Sequence, residues 1–163
     1  RTGDWFAFEN PDLEGERPDL ICIGKAMGGG FPISACMGTD TVMDAWGASN
    51  GEAIHTQTFL GNPLGCAMAL ASIRAIEQEM ETLTQRIKHL HNELNDHKIP
   101  YQGRGFLLGL SVPQPLKMCQ ALLRRGFIAL PAGINAEVLA FTPPLCVSEE
   151  QNSSAVQTIA KLS

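Results

Sequence analysis

Apolar residues follow two different rhythms along the chain. Up to residue 61 they come in short clusters separated by glycine, proline and polar runs. After an irregular, Pro- and acid-rich stretch over residues 10–18, "DLICIG" reads as a short buried strand and "PISACMG" as a second run of strand length, joined by a glycine turn. "DTVMDAW" predicts a short helix with Asp40 as its cap, and the polar, glycine-containing stretch over residues 47–61 predicts a loop long enough to suspect a function. From Asn62 the rhythm becomes helical. Asn62 is an N-cap candidate, Pro63 suits the first turn, and "LGCAMALAS" follows as a dense small-residue run. Ile73, Ile76, Met80, Leu83, Ile87, Leu90 and Leu94 then alternate spacings of three and four, which is one stripe on one helical face. A continuous helix to about His97 would be far longer than the usual 11 or 12 residues, so two consecutive helices are the alternative; Pro100 ends the pattern either way.

Beyond Pro100 the texture changes again. "YQGRGFLLGLSV" predicts a strand, "PLKMCQALLRRG" a helix closed by Gly126, "FIAL" and "EVLAF" strands, and "SEEQNSSAVQTIAKL" a last helix capped by Ser148. That is a compact α+β unit, with a boundary expected near residues 98–101. No internal repeat or low-complexity tract is visible.

Composition narrows the function classes. The 163 residues are 44% hydrophobic and 18% charged, enough to bury a core. With 12 Lys+Arg against 17 Asp+Glu the formal charge is -5, and no basic cluster offers a nucleic-acid footprint. No apolar stretch comes near the roughly 20 residues that span a bilayer. The five cysteines (Cys22, Cys36, Cys66, Cys119, Cys146) are scattered, odd in number and free of CxxC spacing, which argues against a disulfide framework or a zinc knuckle and favours a reducing cytoplasm. The chain opens on "RTGDW" without an initiator Met, which suggests a piece of a longer protein.

The chemistry concentrates on Lys25. A lysine at a strand end commonly points into solvent. The alternative is that the apolar "ICIG" buries this one and that Gly28, Gly29 and Gly30 let a ligand approach the backbone closely. A lysine desolvated in that way becomes nucleophilic and can form the Schiff base that holds pyridoxal phosphate. The triple glycine is not a dinucleotide fingerprint, because it lacks the G-x-G-x-x-G spacing and the acidic residue that follows.

Three blocks, "RTGDWFAFEN", "PDLICIGKAMGGGFPISACMGT" and "HTQTFLGNPLGCAMALA", in this order and spacing, resemble the class III pyridoxal-phosphate aminotransferases of the fold-type I superfamily. That family includes the acetylornithine, ornithine and 4-aminobutyrate transaminases. The similarity continues more weakly through "GRGFLLGL" and "LAFTPPLCVSEEQ" and covers essentially the whole chain. It implies an α/β fold, the C-terminal part of a PLP-dependent transferase: residues 1–98 closing the large cofactor domain with its long helix, residues 99–163 forming the small α+β domain. The family's ring-nitrogen aspartate, phosphate-binding glycines and stacking aromatic precede "RTG", so the fragment alone is expected to be inactive.

The resemblance also implies residue roles. Lys25 is the catalytic lysine and the carrier of pyridoxal 5'-phosphate, freed after transimination to shuttle the proton. Thr58, in "TFLGNP", matches the threonine whose hydroxyl and backbone reach the cofactor phosphate of the neighbouring subunit, which implies a homodimer; its alternative role is to satisfy loop backbone. His55 is expected to be a loop or interface residue, His89, His91 and His97 surface residues near a helix end, and Arg104 a packing residue; Met27 and Phe31 line the pocket or belong to the core. No metal site is expected. The reaction implied is amino transfer between an amino acid or omega-amino compound and a 2-oxo acid, with a racemase or aminomutase on the same scaffold, or a non-catalytic folded fragment, as the alternatives. Many family members carry an arginine where this sequence reads Ala140 in "EVLAFTPPL", so the two-pronged carboxylate clamp is missing and a substrate other than the standard acetylornithine pair is implied.

Overall fold

The computed structural model describes residues 1–11, 17–45 and 57–163, which form two compact units: Glu14–Gln78, and Arg1–Leu13 together with Glu79–Ser163. In the first, β1 (Leu20–Ile23) pairs antiparallel with β2 (Ala35–Gly38), Cys22 opposite Cys36 and Ile23 opposite Ala35. Both expected strands are present, but β1 is not buried. Its residues alternate between exposed and half-buried and Leu20 keeps 50% of its surface, because a two-stranded sheet of these residues shields only one face of the pleat. The short helix α1 (Asp40–Met43) follows; the residue that enters it is Thr39, not Asp40. Thr39 has extended backbone, φ -64° and ψ 152°, and its carbonyl receives the amides of Val42 and Met43, so Asp40 is already in the first turn, where its negative charge suits the helix dipole. Of the expected functional loop, residues 47–56, including His55, lie outside the described residues.

α2 (Pro63–Asp96) is a single helix of 34 residues, about 50 Å long at 1.5 Å per residue, which settles the choice between one helix and two. Its start is the expected one: the Asn62 side chain accepts from the Gly65 amide at 3.1 Å, and Pro63 occupies the position where a missing N–H costs nothing. After Gly65 no glycine or proline interrupts it. It ends where Lys98 turns left-handed at φ 56° and the Ile99 amide bonds back to the Leu94 carbonyl.

In the second unit four antiparallel strands run in the order β3-β4-β6-β5: β3 (Tyr101–Arg104), β4 (Leu107–Leu110), β5 (Leu130–Ala132) and β6 (Val138–Phe141). α3 (Pro115–Leu123) and α4 (Glu149–Leu162) complete it. The stretch expected to be one strand, "YQGRGFLLGL", is a hairpin. Its turn is Gly105–Phe106, with Gly105 left-handed at φ 57°; the Phe106 amide donates to the Arg1 carbonyl at 2.7 Å, and a Cβ at Gly105 would collide with that same carbonyl. "FIAL" contributes only Leu130 to a strand, because residues 127–129 are spent leaving α3 past left-handed Gly126. Ser148 caps α4 as expected, in a reciprocal box with Gln151.

The core of this unit joins Phe106, Leu108, Leu110, Leu122, Leu139, Val156 and Ile159 to Leu83, Leu90 and Leu94. The last three belong to the predicted stripe of α2. The division between units thus falls within α2, whereas the change in sequence texture falls at its end.

Candidate active site

Lys25 opens a short 3-10 turn (Lys25–Gly28) directly after β1 and Gly24. It is exposed, so the desolvation expected from the apolar run is not supplied by the described residues; the alternating strand that precedes it cannot wrap a side chain. Its backbone is one of four non-glycine left-handed positions among the described residues, with Lys98, Gln114 and Ala136. At φ 47° it is left-handed, a conformation that costs a non-glycine residue about 1–2 kcal/mol and persists only where surroundings enforce it. Here Met27 N–H donates across it to the Gly24 carbonyl at 3.1 Å, and Gly29 N–H closes the turn on the Ala26 carbonyl, also at 3.1 Å. Gly29 and Gly30 continue left-handed at φ 57° and 98°. The result is a bare, sharply curved backbone from which one long cation projects. Among the described residues nothing bonds to its amine.

α2 lies against this turn. Ser72 Oγ donates to the Ala26 carbonyl at 2.6 Å. A Cβ at Gly65 would sit 3.1 Å from the Phe31 ring and 3.2 Å from Ile33, so the side chain of Phe31 is spent on packing against the first turn of the helix. Just before that turn, Thr58 begins a tight turn (residues 58–61) and is exposed, its hydroxyl bonded to none of the described residues. The structure does not bring Thr58 and Lys25 into contact. Three residues before Lys25, the Cys22 and Cys36 thiols meet across the sheet, and the Cys36 thiol is held above its ordinary range because losing its proton would break its hydrogen bond to Cys22.

In the other unit, Ala140 sits in the middle of β6, between Gly109 of β4 and Leu130 of β5. It lines an apolar cavity of about 230 Å³ with Leu122, Phe127, Leu130, Pro143 and Ile159. The segment that follows, "TPPLCV", is held by a residue the sequence does not single out. Arg86 of α2 donates to the carbonyls of Leu145 and Val147, to Thr82, and to both the carbonyl and the carboxylate of Glu79, the last at 2.7 Å. Two of the histidines expected at the surface are half-buried. His91 bonds the Gly105 carbonyl at 3.0 Å and packs on Tyr101, and His89 bonds Ser153 at 3.0 Å. Among the described residues no group of three His, Cys, Asp or Glu side chains is placed to hold a metal, and no helix is long and apolar enough to cross a membrane.

The sequence profile of the family described as Aminotransferase class-III matches residues 1–162. The chain belongs to the class-III aminotransferase family. It is 33% identical to acetylornithine aminotransferase of Methanosarcina mazei over 98% of this chain and 39% of that protein. It is 31% identical to adenosylmethionine-8-amino-7-oxononanoate aminotransferase of Methanocaldococcus jannaschii over 93% of this chain and 38% of the relative. The solved ornithine aminotransferase of Toxoplasma gondii, described as having pyridoxal phosphate at partial occupancy in its active site, superposes with a TM-score of 0.79 at 30% identity, covering 99% of this chain and 39% of that one. The chain thus spans about 40% of the length of the relatives it matches. Class-III aminotransferases depend on pyridoxal phosphate. The Lys25 turn fits that group: an amine uncommitted among the described residues on a glycine-flanked backbone, with open space around Gly30, where a Cβ would meet nothing within 4 Å.

Proposed function

We propose that the complete subunit is an aminotransferase moving an amino group between an amino acid or omega-amino compound and a 2-oxo acid, with Lys25 as the point of covalent attachment of pyridoxal phosphate. The observation that carries this reading is the Lys25 turn: a strained, left-handed lysine whose amine bonds to none of the described residues, fixed by α2 in a class-III chain. When bound, the cofactor supplies an electron sink for the substrate's amine-bearing carbon. The Lys25 amine would be the base that takes a proton from that carbon and gives it back. Residues 1–98 then close the larger domain and residues 99–163 form the smaller one. Thr58 is the phosphate-binding threonine offered to a second copy, so the working enzyme is a homodimer; five scattered cysteines without CxxC spacing suit a reducing cytoplasm. A threonine hydroxyl four residues ahead of the capping Asn62 sits close to the N-terminus of α2, where a dianionic phosphate is favoured.

Lys25→Ala in the complete subunit tests the assignment. The variant is expected to bind pyridoxal phosphate noncovalently, to resist borohydride fixation, and to lose amino transfer because attachment point and proton carrier are one group. Near-normal turnover in Lys25→Ala would sink the assignment.

A further inference from the structure

The geometry points to Ser72 as a positioning residue for Lys25: through the Ala26 carbonyl, its hydroxyl fixes the left-handed turn from which the lysine projects. The functional sense of this inference rests on the reading of Lys25 given above. Ser72 lies in the third turn of α2, 46 residues beyond Ala26. A helical serine ordinarily donates to the carbonyl one turn back or to water. This one spends its single proton on the lysine turn, at 2.6 Å, the short end of the range for hydroxyl donors. Its acceptor is the hinge of the turn, because the Ala26 carbonyl also receives the Gly29 amide.

The fit on the other side is tight. A Cβ at Gly29 would lie 3.1 Å from Ser72 Cβ and 3.3 Å from its Oγ, so only glycine lets the turn approach this close without a shift. Lys25 itself sits at φ 47°, which its own chemistry does not favour. Two local backbone bonds and one bond from a helix distant in sequence are what hold it there. Removing the distant one leaves the turn free to relax toward ordinary backbone, and the lysine amine, at the end of four methylenes, moves with it. A small displacement of a reacting group costs rate far more than binding.

The experiment compares Ser72→Ala and Ser72→Thr with wild type in two ways. In the cofactor-free protein, amide exchange at Met27 and Gly29 is expected to quicken roughly three- to tenfold in Ser72→Ala, with Leu83 and Leu90 unchanged, and to return toward wild type in Ser72→Thr. In the complete subunit saturated with pyridoxal phosphate, kcat is expected to fall by a similar factor at unchanged KM, again with recovery in Ser72→Thr. Wild-type exchange at Gly29 in Ser72→Ala overturns the inference, as does acceleration spread along α2 that threonine does not repair. A wild-type protein that neither takes up pyridoxal phosphate nor turns over defeats the aminotransferase reading instead, and the exchange arm then decides by itself whether Ser72 fixes the turn.

Discussion

Arg86→Ala is expected to be strongly destabilising for a change outside the apolar stripe of α2. The guanidinium is largely withdrawn from water, at 12% side-chain exposure, and it reaches two carbonyls, Leu145 and Val147, some 60 residues downstream. Hydrogen bonds to a charged group contribute about 1.5–3 kcal/mol each. The ion pair with Glu79 counts for less, about 1 kcal/mol at most, because that carboxylate is 38% exposed and water can replace its partner. Arg86 Nε is buried without a partner among the described residues, which takes back part of the gain. The balance is a loss of about 3–5 kcal/mol. Urea unfolding reads this directly: with a slope of about 2 kcal/mol per molar, the midpoint falls by about 2 M at unchanged slope. Arg86→Lys keeps the charge but cannot span both carbonyls, so about half the loss is expected. A midpoint shift below about 0.5 M in Arg86→Ala, or a lysine variant as stable as wild type, would refute the view that one side chain holds the "TPPLCV" segment.

Two further substitutions address the proposed chemistry. Thr58→Val is expected to weaken cofactor retention by roughly 1.5–3 kcal/mol with little effect on folding, most visibly in dilute protein where a dimer is weakest; equilibrium dialysis with pyridoxal phosphate returning wild-type affinity would restrict Thr58 to its turn. Ala140→Arg is expected to improve kcat/KM for glutamate and 2-oxoglutarate, while wild type responds to them poorly. A wild-type enzyme already efficient with both, and unchanged by the substitution, would mean that another group clamps the carboxylate.

Features that depend on near neighbours in sequence were legible without a structure. Asn62 and Ser148 both cap as expected, since a cap needs only a side-chain oxygen and an amide two or three residues on. The long stripe of α2 was legible too, and the lack of any glycine or proline after Gly65 was the available sign that the helix would not break. The entry to α1 was misplaced by one residue, from Thr39 to Asp40; the larger misreadings arose where the deciding partner is remote. The hairpin at Gly105 is fixed partly by Arg1, about a hundred residues earlier, so "YQGRGFLLGL" looked like one strand. The grips of Ser72 and Arg86 lie 46 and about 60 residues from their acceptors, and both acceptors are main-chain carbonyls, which carry no mark in a sequence. The burial of β1 was misread for a related reason: apolar content predicts a strand, but burial depends on what covers it.

Leu83, Leu90 and Leu94 have a practical consequence for anyone dissecting the gene. Texture in the sequence invites a cut after the helix, releasing residues 99–163 as a portable module. Such a product would carry away its four strands and two helices but leave behind three leucines that are 0–1% exposed at the centre of their core. Cutting instead at Gln78/Glu79, where the packing divides, severs continuous helical backbone and leaves each product with a stub near the length at which isolated helices are marginal in water. Neither break yields a self-sufficient piece. The two units share one indivisible element, and swapping either of them between relatives requires grafting the whole of α2 with it.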